Sequence, residues 1–188
     1  MSLAGTGSSL AEALEARRAA REVASAAEVA AALDRMAAEV AVRLAAHNPV
    51  VLAVMQGGVF TAVELCRRLD CPYEFDFVHA TRYGDRLTGA ELEWRVRPRV
   101  ELRGRVVLLV DDVLDQGVTL HVLQSELGRV GVAALYSAVL VSKEMQSPVE
   151  RPHVDFVGLS SRDIYLFGCG MDYKGYWRGL TALYGLES

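Results

Sequence analysis

The chain has 188 residues, of which 52% are hydrophobic and 23% are charged, and its formal net charge is -4 at pH 7. This length and apolar content predict one folded domain with a substantial core and exclude an intrinsically disordered chain. No apolar run is long enough to span a bilayer. The negative net charge disfavours a nucleic-acid-binding surface, which is usually basic. We therefore expect neither a membrane nor a nucleic acid among its partners.

The cysteines and the N-terminus bear on the compartment. Cys66, Cys71 and Cys169 have no metal-ligand spacing, and their odd number predicts reduced, buried thiols in a cytoplasmic protein. Residues 1–9 lack the charged and apolar parts of a signal peptide. They are expected to be a flexible lead-in.

The first third of the chain is rich in alanine and has helical periodicity. A short helix is predicted over Leu10–Val23. A second helix is predicted to start at Ser25, because Glu28 three residues later completes a capping-box signature. Asn48-Pro49 is predicted to end it. The second helix carries one apolar stripe at spacings of three and four, predicted to be buried: Val29, Leu33, Met36, Val40 and Leu44.

Beyond residue 48, short apolar runs alternate with helical segments, a pattern typical of a mostly parallel sheet. Residues 81–94 are polar and contain two glycines, which predicts a mobile loop or a loose hairpin. The tail from Gly168 to Trp177 is rich in glycine and aromatic residues. The predicted strands are 50–54, 73–80, 106–110, 135–141, 154–159 and 165–167, and the predicted helices are 59–69 and 118–129.

The most informative segment follows the apolar run Val106–Val110, where two acids precede a glycine-containing loop that opens a helix. Ligands of open α/β sheets bind at the carboxyl ends of the strands. Free N–H groups at a helix start attract phosphate, whereas neighbouring carboxylates suit ribose hydroxyls and Mg²⁺. The segment predicts a phosphorylated sugar bound with magnesium; the alternative is a polar turn that closes a buried strand. Its polar end contains Asp111, Asp112, Asp115, Gln116, Gly117, Val118 and Thr119.

This segment resembles the phosphoribosyl-diphosphate (PRPP) binding motif of type I phosphoribosyltransferases. That motif has a hydrophobic strand, two acids, two apolar residues and then Asp-Thr-Gly-x-Thr. Gln116 stands where the family usually has Thr or Ser, so one loop hydroxyl is lost. The resemblance implies an α/β fold with a central, mostly parallel sheet flanked by helices and a small hood built from the chain ends. Residues 1–24 would be a lead-in with a short helix, and 25–188 a single domain. The hood would come from the N-terminal helix region and about 145–188.

Further segments between about 48 and 178 resemble hypoxanthine-guanine phosphoribosyltransferases and occur in that family's order. Met55-Gln56-Gly57-Gly58 is similar to the diphosphate-binding loop, in which the peptide before the second residue can be cis. Gln56 replaces the commoner lysine. Thr81-Arg82-Tyr83 is similar to the start of the flexible lid. The tail from Gly168 to Arg178 is similar to the family's Gly-x-x-x-Asp-Tyr-x-x-x-x-Arg segment.

The resemblance implies roles at the PRPP end of the site. Asp111 and Asp112 would hold the ribose hydroxyls, directly or through Mg²⁺, and Asp172 would bind a second Mg²⁺. Asp115 would be the general base. The 5′-phosphate would bind to Asp115, Gln116, Gly117, Val118 and Thr119, and the diphosphate to Gln56, Gly57 and Arg178.

Roles at the purine end follow in the same way. Lys143 would donate to the 6-oxo group, Tyr165 would stack on the ring, and Leu166 would contact the base edge through its backbone. Arg82 and Tyr83 would belong to a lid that excludes water.

The implied activity is purine salvage: transfer of the phosphoribosyl group of PRPP to N9 of hypoxanthine or guanine, which gives IMP or GMP and diphosphate. The cofactor would be Mg²⁺, and the protein would be a homo-oligomer, either a dimer or a tetramer. One alternative is a xanthine-preferring enzyme. Another is an RNA-binding pyrimidine attenuation regulator of the same fold, which usually has Tyr at the position of Asp115 and needs a basic surface. Asp115 and the acidic composition favour the enzyme.

Overall fold

A computed structural model describes residues 4–83, 91–144 and 151–187. Helices and strands alternate along most of the chain. The helices are α1 (Ala4–Ala19), α2 (Ala26–Leu44), α3 (Gly58–Cys66) and α4 (Val118–Val130). The strands are β1 (Arg21–Ala24), β2 (Val50–Val54), β3 (Glu74–Tyr83), β4 (Glu91–Val96), β5 (Val106–Leu114), β6 (Ala134–Glu144), β7 (Phe156–Arg162), β8 (Tyr165–Phe167) and β9 (Leu183–Leu186).

The central sheet has six strands in the order β4-β3-β2-β5-β6-β7, and only β4 runs antiparallel to its neighbour. All five residues of β2 are buried because α2 and α3 cover one face of the sheet and α4 covers the other. This confirms the predicted α/β class with a mostly parallel sheet flanked by helices. Parallel order brings the carboxyl ends of β2, β5 and β6 to one edge, where the predicted phosphate loop lies.

The capping-box prediction at the start of α2 is confirmed. The Glu28 N–H donates to the Ser25 hydroxyl oxygen (3.3 Å), and the Ser25 N–H donates to the Glu28 carboxylate (2.8 Å). The predicted stripe is buried at every position, from Val29 to Leu44. Packing of this stripe against the sheet, rather than helix propensity, supplies most of the helix's stability.

The predicted helix over Leu10–Val23 is wrong at both ends, and α1 begins at Ala4, within the segment expected to be a flexible lead-in. Helix α1 stops at Ala19, and Arg21–Ala24 forms β1, which pairs antiparallel with β9 so that Arg21 lies opposite Gly185. The segment reads as helical by itself, but pairing with a strand 160 residues away overrides that local preference. A second, three-stranded sheet in the order β1-β9-β8 therefore joins both ends of the chain.

Two other segments differ from expectation in a way that affects the site. Strand β5 continues to Leu114, so Asp111 and Asp112 lie inside a strand that still pairs with β6, not in a turn. For the segment 81–94, the described residues form the hairpin alternative: Tyr83 of β3 lies opposite Glu91 of β4. No helix among the described residues is long and apolar enough to cross a membrane.

Candidate active site

A cavity of about 370 Å³ opens at the carboxyl ends of β2 and β5. Its walls come from the β2–α3 loop on one side and the β5–α4 loop on the other. Ten residues from the predicted diphosphate loop, the paired acids and the predicted phosphate loop line it: Met55, Gln56, Gly57, Asp111, Asp112, Asp115, Gln116, Gly117, Val118 and Thr119. The structure thus brings together the segments predicted to bind ribose, 5′-phosphate and diphosphate.

The β2–α3 loop depends on its glycines. A Cβ atom on Gly57 would lie 1.6 Å from Oδ2 of Asp112, and one on Gly58 would lie 2.5 Å from the carbonyl oxygen of Val110. Only glycine lets this loop approach the end of β5 so closely. The Met55–Gln56 peptide bond is cis, the isomer that this peptide can adopt in the diphosphate loop it resembles.

The paired acids sit in a desolvated position. Burial raises the pKa of Asp111 well above its usual range, and the neighbouring Asp112 carboxylate raises it further. Burial also raises the pKa of Asp112, while hydrogen bonds and the charge of Arg178 act in the opposite direction. Each carboxylate accepts a hydrogen bond from the next backbone N–H, at 2.9 Å and 2.8 Å. Two adjacent, half-buried carboxylates at a cavity wall favour a cation or hydroxyl groups as their partner.

Because the folded-state pKa values are raised, ionisation of this pair costs stability. The contribution of the carboxyl pair to the free energy of unfolding is most favourable below the unfolded-state pKa of about 3.9. It is lost as the pH rises through the folded-state pKa values of the pair. We therefore expect Asp111→Asn to raise the free energy of unfolding at pH 8. The gain should shrink towards pH 4.

Urea unfolding in chelator at both pH values measures the effect of Asp111→Asn. Asp70→Asn removes the same formal charge from an exposed position and serves as the control, with an expected change near zero. A lower stability of Asp111→Asn at pH 8 would contradict the assigned cost of the buried pair.

The phosphate loop is closed by a glycine in the left-handed region. Gly117 precedes α4 with φ +78°, and a Cβ there would lie 2.5 Å from Cδ of Pro152. The first backbone N–H groups of α4 have no partner within the helix, and Gln116 and Thr119 flank them at the cavity wall. This arrangement favours an anion at the start of the helix.

Lys143, the predicted purine-recognition residue, lies beside Asp115, the predicted general base. Its Nζ is 3.5 Å from Oδ2 of Asp115 and 3.3 Å from Oδ1 of Asp163. The Lys143 side chain is largely buried, whereas both carboxylates are about half exposed. The end of β6 therefore delivers the lysine to the edge of the phosphate loop. Asp163 was missed in the sequence because a lone acid between two short strands belongs to no motif.

Arg151 was also missed. Its guanidinium donates to the carbonyl oxygen of Lys143 (2.7 Å) and to that of Leu114 (2.6 Å), the residue before Asp115. Arg151 thereby links the backbone segment that carries the predicted general base, Asp115, to the segment that carries the predicted purine-binding residue, Lys143. Hydrogen bonds from a guanidinium to two carbonyls leave no signature in the local sequence.

The glycine-rich tail reaches the diphosphate loop. Arg178 pairs with Asp172 (2.5 Å), donates to the carbonyl of Gly170 (2.6 Å) and contacts the side-chain oxygen of Gln56 (3.4 Å). Gly170 packs directly on the carbonyl oxygen of Gly57, since a Cβ there would lie 2.3 Å away. The structure thus joins the two separate segments that the resemblance assigned to diphosphate.

The predicted purine contacts lie on β8. Tyr165 is half exposed, packs edge-on to Tyr173 and donates from its hydroxyl to the carbonyl of Asp172 (3.0 Å), whereas Leu166 is buried. The exposed ring is available for stacking. The predicted lid side chains, Arg82 and Tyr83, lie outside the described side chains; the backbone of both belongs to the end of β3.

The predicted metal ligands are Asp111, Asp112 and Asp172. Within residues 4–83, 91–144 and 151–187, no three His, Cys, Asp or Glu side chains lie close enough together to hold a metal ion. The oxygen donors nevertheless suit Mg²⁺, which is usually bound by one or two carboxylates with the remaining positions taken by water and substrate phosphates.

A mostly parallel α/β sheet with a phosphate loop and paired acids at its carboxyl edge is an arrangement typical of proteins that bind phosphorylated sugars. The sequence model described as "Phosphoribosyl transferase domain" matches residues 19–174. The chain belongs to the phosphoribosyltransferase family, which confirms the resemblance inferred from its motifs.

Individual relatives agree with this assignment. Hypoxanthine phosphoribosyltransferase of Salmonella typhimurium is 32% identical over 132 residues, covering 70% of this chain and 74% of the relative. Hypoxanthine-guanine-xanthine phosphoribosyltransferase of Tritrichomonas foetus is 26% identical over 151 residues, covering 80% and 82%. The solved structure of hypoxanthine phosphoribosyltransferase from Trypanosoma cruzi matches with a TM-score of 0.83 at 22% identity, covering 90% of this chain and 92% of that one.

Proposed function

We propose that the protein transfers the phosphoribosyl group of PRPP to N9 of a 6-oxopurine, hypoxanthine or guanine, and so forms IMP or GMP and diphosphate in purine salvage. The observation that carries the proposal is the meeting of Lys143 and Asp115 at the rim of a cavity lined by the paired acids and the phosphate loop. A 6-oxo acceptor and a proton to be removed would lie on the same side of the purine. The names of the relatives support the same activity.

PRPP would lie along the cavity. Its 5′-phosphate would accept hydrogen bonds from the backbone N–H groups of residues 115–119 at the start of α4. Its ribose hydroxyls would donate to Asp111 and Asp112. Its diphosphate would lie between the Gln56-Gly57 loop and Arg178, which already contact one another. With Gln at position 56, the cationic contact to diphosphate from this pair of segments falls to Arg178.

The bond from C1′ to the diphosphate oxygen breaks as the bond from C1′ to purine N9 forms. Asp115 would take the proton from N7, so that the product leaves as the neutral base attached to ribose. Lys143 would donate to the 6-oxo group and disfavour a 6-amino purine, which offers no comparable acceptor. Tyr165 would stack on the ring.

Asp111, Asp112 and Asp172 would hold Mg²⁺ together with substrate oxygens. The ion would supply positive charge to the departing diphosphate. We expect activity to be lost in EDTA and restored by added Mg²⁺, measured by IMP formation. Activity that persists in the chelator would remove magnesium from the proposal.

The small β1-β9-β8 sheet is proposed to act as the hood, with β8 and β9 contributed by the single domain of residues 25–188 and β1 by the segment that precedes it. It carries Tyr165 and lies next to the tail that holds Arg178, so it would cover the purine and the diphosphate. Closure by Arg82 and Tyr83 would exclude water from C1′. The three free cysteines agree with reduced thiols and a cytoplasmic location.

We also propose that the protein is a homo-oligomer. Phe60 and Val63 on α3 are partly exposed, and Phe75 and Phe77 of β3 project from the sheet face that α3 covers. Exposed apolar side chains grouped in this way favour self-association. Sedimentation equilibrium distinguishes monomer, dimer and tetramer.

The deciding experiment is product analysis with PRPP, Mg²⁺ and each of hypoxanthine, guanine, xanthine and adenine. We expect IMP and GMP. Predominant xanthosine monophosphate would support the xanthine-preferring alternative. Absence of transfer together with RNA binding in a gel shift would support the regulatory alternative and reject the enzyme.

A further inference from the structure

Helix α1 is an addition to the family domain. The phosphoribosyltransferase model matches residues 19–174, so nearly all of α1 precedes the match. The helix is nevertheless packed against the rest of the protein, because Ala13 is fully buried and Ala16 is 6% exposed, whereas the larger Leu10 and Leu14 are exposed. The two alanines are three residues apart and share one face of the helix. Since their side chains are small, the segment that covers them lies close to the helix backbone.

The tail between β8 and β9 makes polar contacts with this helix. The indole N–H of Trp177 donates to the carbonyl oxygen of Ala13 (2.8 Å), and the ammonium group of Lys174 is paired with the carboxylate of Glu12. Further along α1, the guanidinium of Arg17 lies over an aromatic ring of β9, 3.8 Å from its centre. Helix α1 is therefore attached to the C-terminal part of the chain by a hydrogen bond, an ion pair and a cation–π contact.

The part of the tail that α1 contacts is a tight turn between Asp172 and Arg178. Within it, Tyr173 and Tyr176 each donate from the backbone N–H to the other's carbonyl oxygen, at 3.0 Å and 2.9 Å. The Asp172 carboxylate accepts the N–H of Gly175 (2.6 Å) and also pairs with Arg178. The turn is therefore one hydrogen-bonded unit, with a predicted Mg²⁺ ligand at one end and the predicted diphosphate-binding arginine at the other.

Trp177 sets the direction in which the chain leaves this turn. Its backbone lies in the left-handed region, with φ +72°. A bulky residue rarely adopts this conformation, which persists where surrounding contacts hold it, and the hydrogen bond to α1 is such a contact. Arg178, the next residue, donates to the carbonyl of Gly170 and contacts Gln56 of the diphosphate loop. A displacement of Trp177 would therefore alter the position from which Arg178 reaches that loop.

We propose that α1 positions the diphosphate end of the active site. By binding Trp177, it fixes the turn between Asp172 and Arg178 against the β2–α3 loop, and Trp177 is thereby a positioning residue for PRPP binding. None of the described residues that line the cavity belongs to α1, so the helix acts through the tail. This role rests on the proposed function, in which diphosphate lies between the β2–α3 loop and Arg178.

Two variants of the full chain weaken the contact from its two sides. Ala13→Leu enlarges a fully buried side chain and pushes α1 away from the tail, whereas Trp177→Phe removes the indole N–H and keeps an aromatic ring. Ala11→Leu is the matched control, because it makes the same substitution at an exposed position of α1 and both residues are good helix formers. The Kd of PRPP with Mg²⁺ and the Kd of IMP are measured by calorimetry for each protein.

We expect Ala13→Leu and Trp177→Phe each to weaken PRPP binding by about threefold to tenfold, the range of one net hydrogen bond. IMP has no diphosphate, so its Kd should stay at the wild-type value in both variants. The double variant should lose no more PRPP affinity than the weaker-binding single variant, because both substitutions break the same contact. Ala11→Leu should bind both ligands as the wild type does.

Wild-type PRPP affinity in both single variants would overturn the positioning role of α1. Equal weakening of PRPP and IMP would also overturn it, since a loss shared by the two ligands indicates general damage to the fold. Full additivity in the double variant would show that the two substitutions act separately, and would overturn it as well. A wild-type protein that binds neither PRPP nor IMP would instead reject the proposed function, so the two failures are distinguishable.

Discussion

Asp115→Asn is expected to lower turnover by roughly 10²-fold or more at saturating PRPP and purine, the usual cost of losing a general base. Asparagine keeps the shape of the side chain but cannot take the proton from purine N7 as N9 attacks. Asp115 is well placed for this role because it lines the cavity, and its Oδ2 lies 3.5 Å from Nζ of Lys143, which would bind the same edge of the purine. Steady-state formation of IMP and GMP measures the effect.

The chain offers a closely matched control for this variant. Asp163 also pairs with Lys143, at 3.3 Å against 3.5 Å, and the two carboxylates have nearly the same side-chain exposure, 52% and 53%. Asp163→Asn removes an equivalent ion pair, whose net worth is small at such exposure, but it removes no base. We expect a modest rise in the KM for purine and little change in turnover. Equal losses of turnover in the two variants, or near wild-type turnover of Asp115→Asn, would reject the assignment of Asp115 as the base.

The central sheet could be predicted because its strands carry their own signal. Residues 50–54 are apolar without interruption, and this predicts burial on both faces and hence a parallel sheet. The bounds of β2 are those predicted. The stripe on α2 was equally readable, since a helix that buries one face must repeat its apolar residues at spacings of three and four.

The small sheet could not be predicted from local sequence. Residues 21–24 have two charged side chains and follow an alanine-rich helix, and only their pairing with β9 makes them a strand. Strand β9 was not predicted for the same reason. Pairing between strands at opposite ends of the chain is determined by the tertiary structure and not by the local preferences of the residues.

The site residues show the same difference between what local sequence predicts and what only the folded structure determines. The acids and the phosphate loop are contiguous in sequence, so their positions were readable from one motif. Arg151 and Asp163 act through a guanidinium bonded to two carbonyls and a carboxylate placed beside a lysine from another strand. Such contacts depend on where distant backbone segments meet, and no spacing along the chain announces them. The raised pKa of Asp111 likewise reflects burial that only the folded sheet defines.

Gly170→Ala is expected to disrupt the meeting of the tail with the diphosphate loop. The backbone at Gly170 has φ +106°, and a Cβ would lie 2.3 Å from the Gly57 carbonyl oxygen. The two nearest atoms are the carbonyl oxygen and carbon of Gly57. Because both belong to the backbone, no side-chain rotation can relieve the clash. We expect kcat/KM for PRPP to fall by about 10²-fold, the scale of loss when reacting groups are displaced by about 1 Å. Overpacking should also lower the free energy of unfolding by about 1–3 kcal/mol beyond the cost of the backbone conformation.

Gly175→Ala separates the clash from the conformational cost. Gly175 also has a positive φ, +87°, but a Cβ there meets no atom within 4 Å. This control should lose about 1–2 kcal/mol of stability from the left-handed backbone alone and retain most of its kcat/KM for PRPP. Urea unfolding and steady-state kinetics of the two variants are then compared directly. If Gly170→Ala bound and used PRPP as well as Gly175→Ala, the contact between Gly170 and Gly57 would be a packing contact only. Arg178, which donates to the Gly170 carbonyl, would then hold its position by other means.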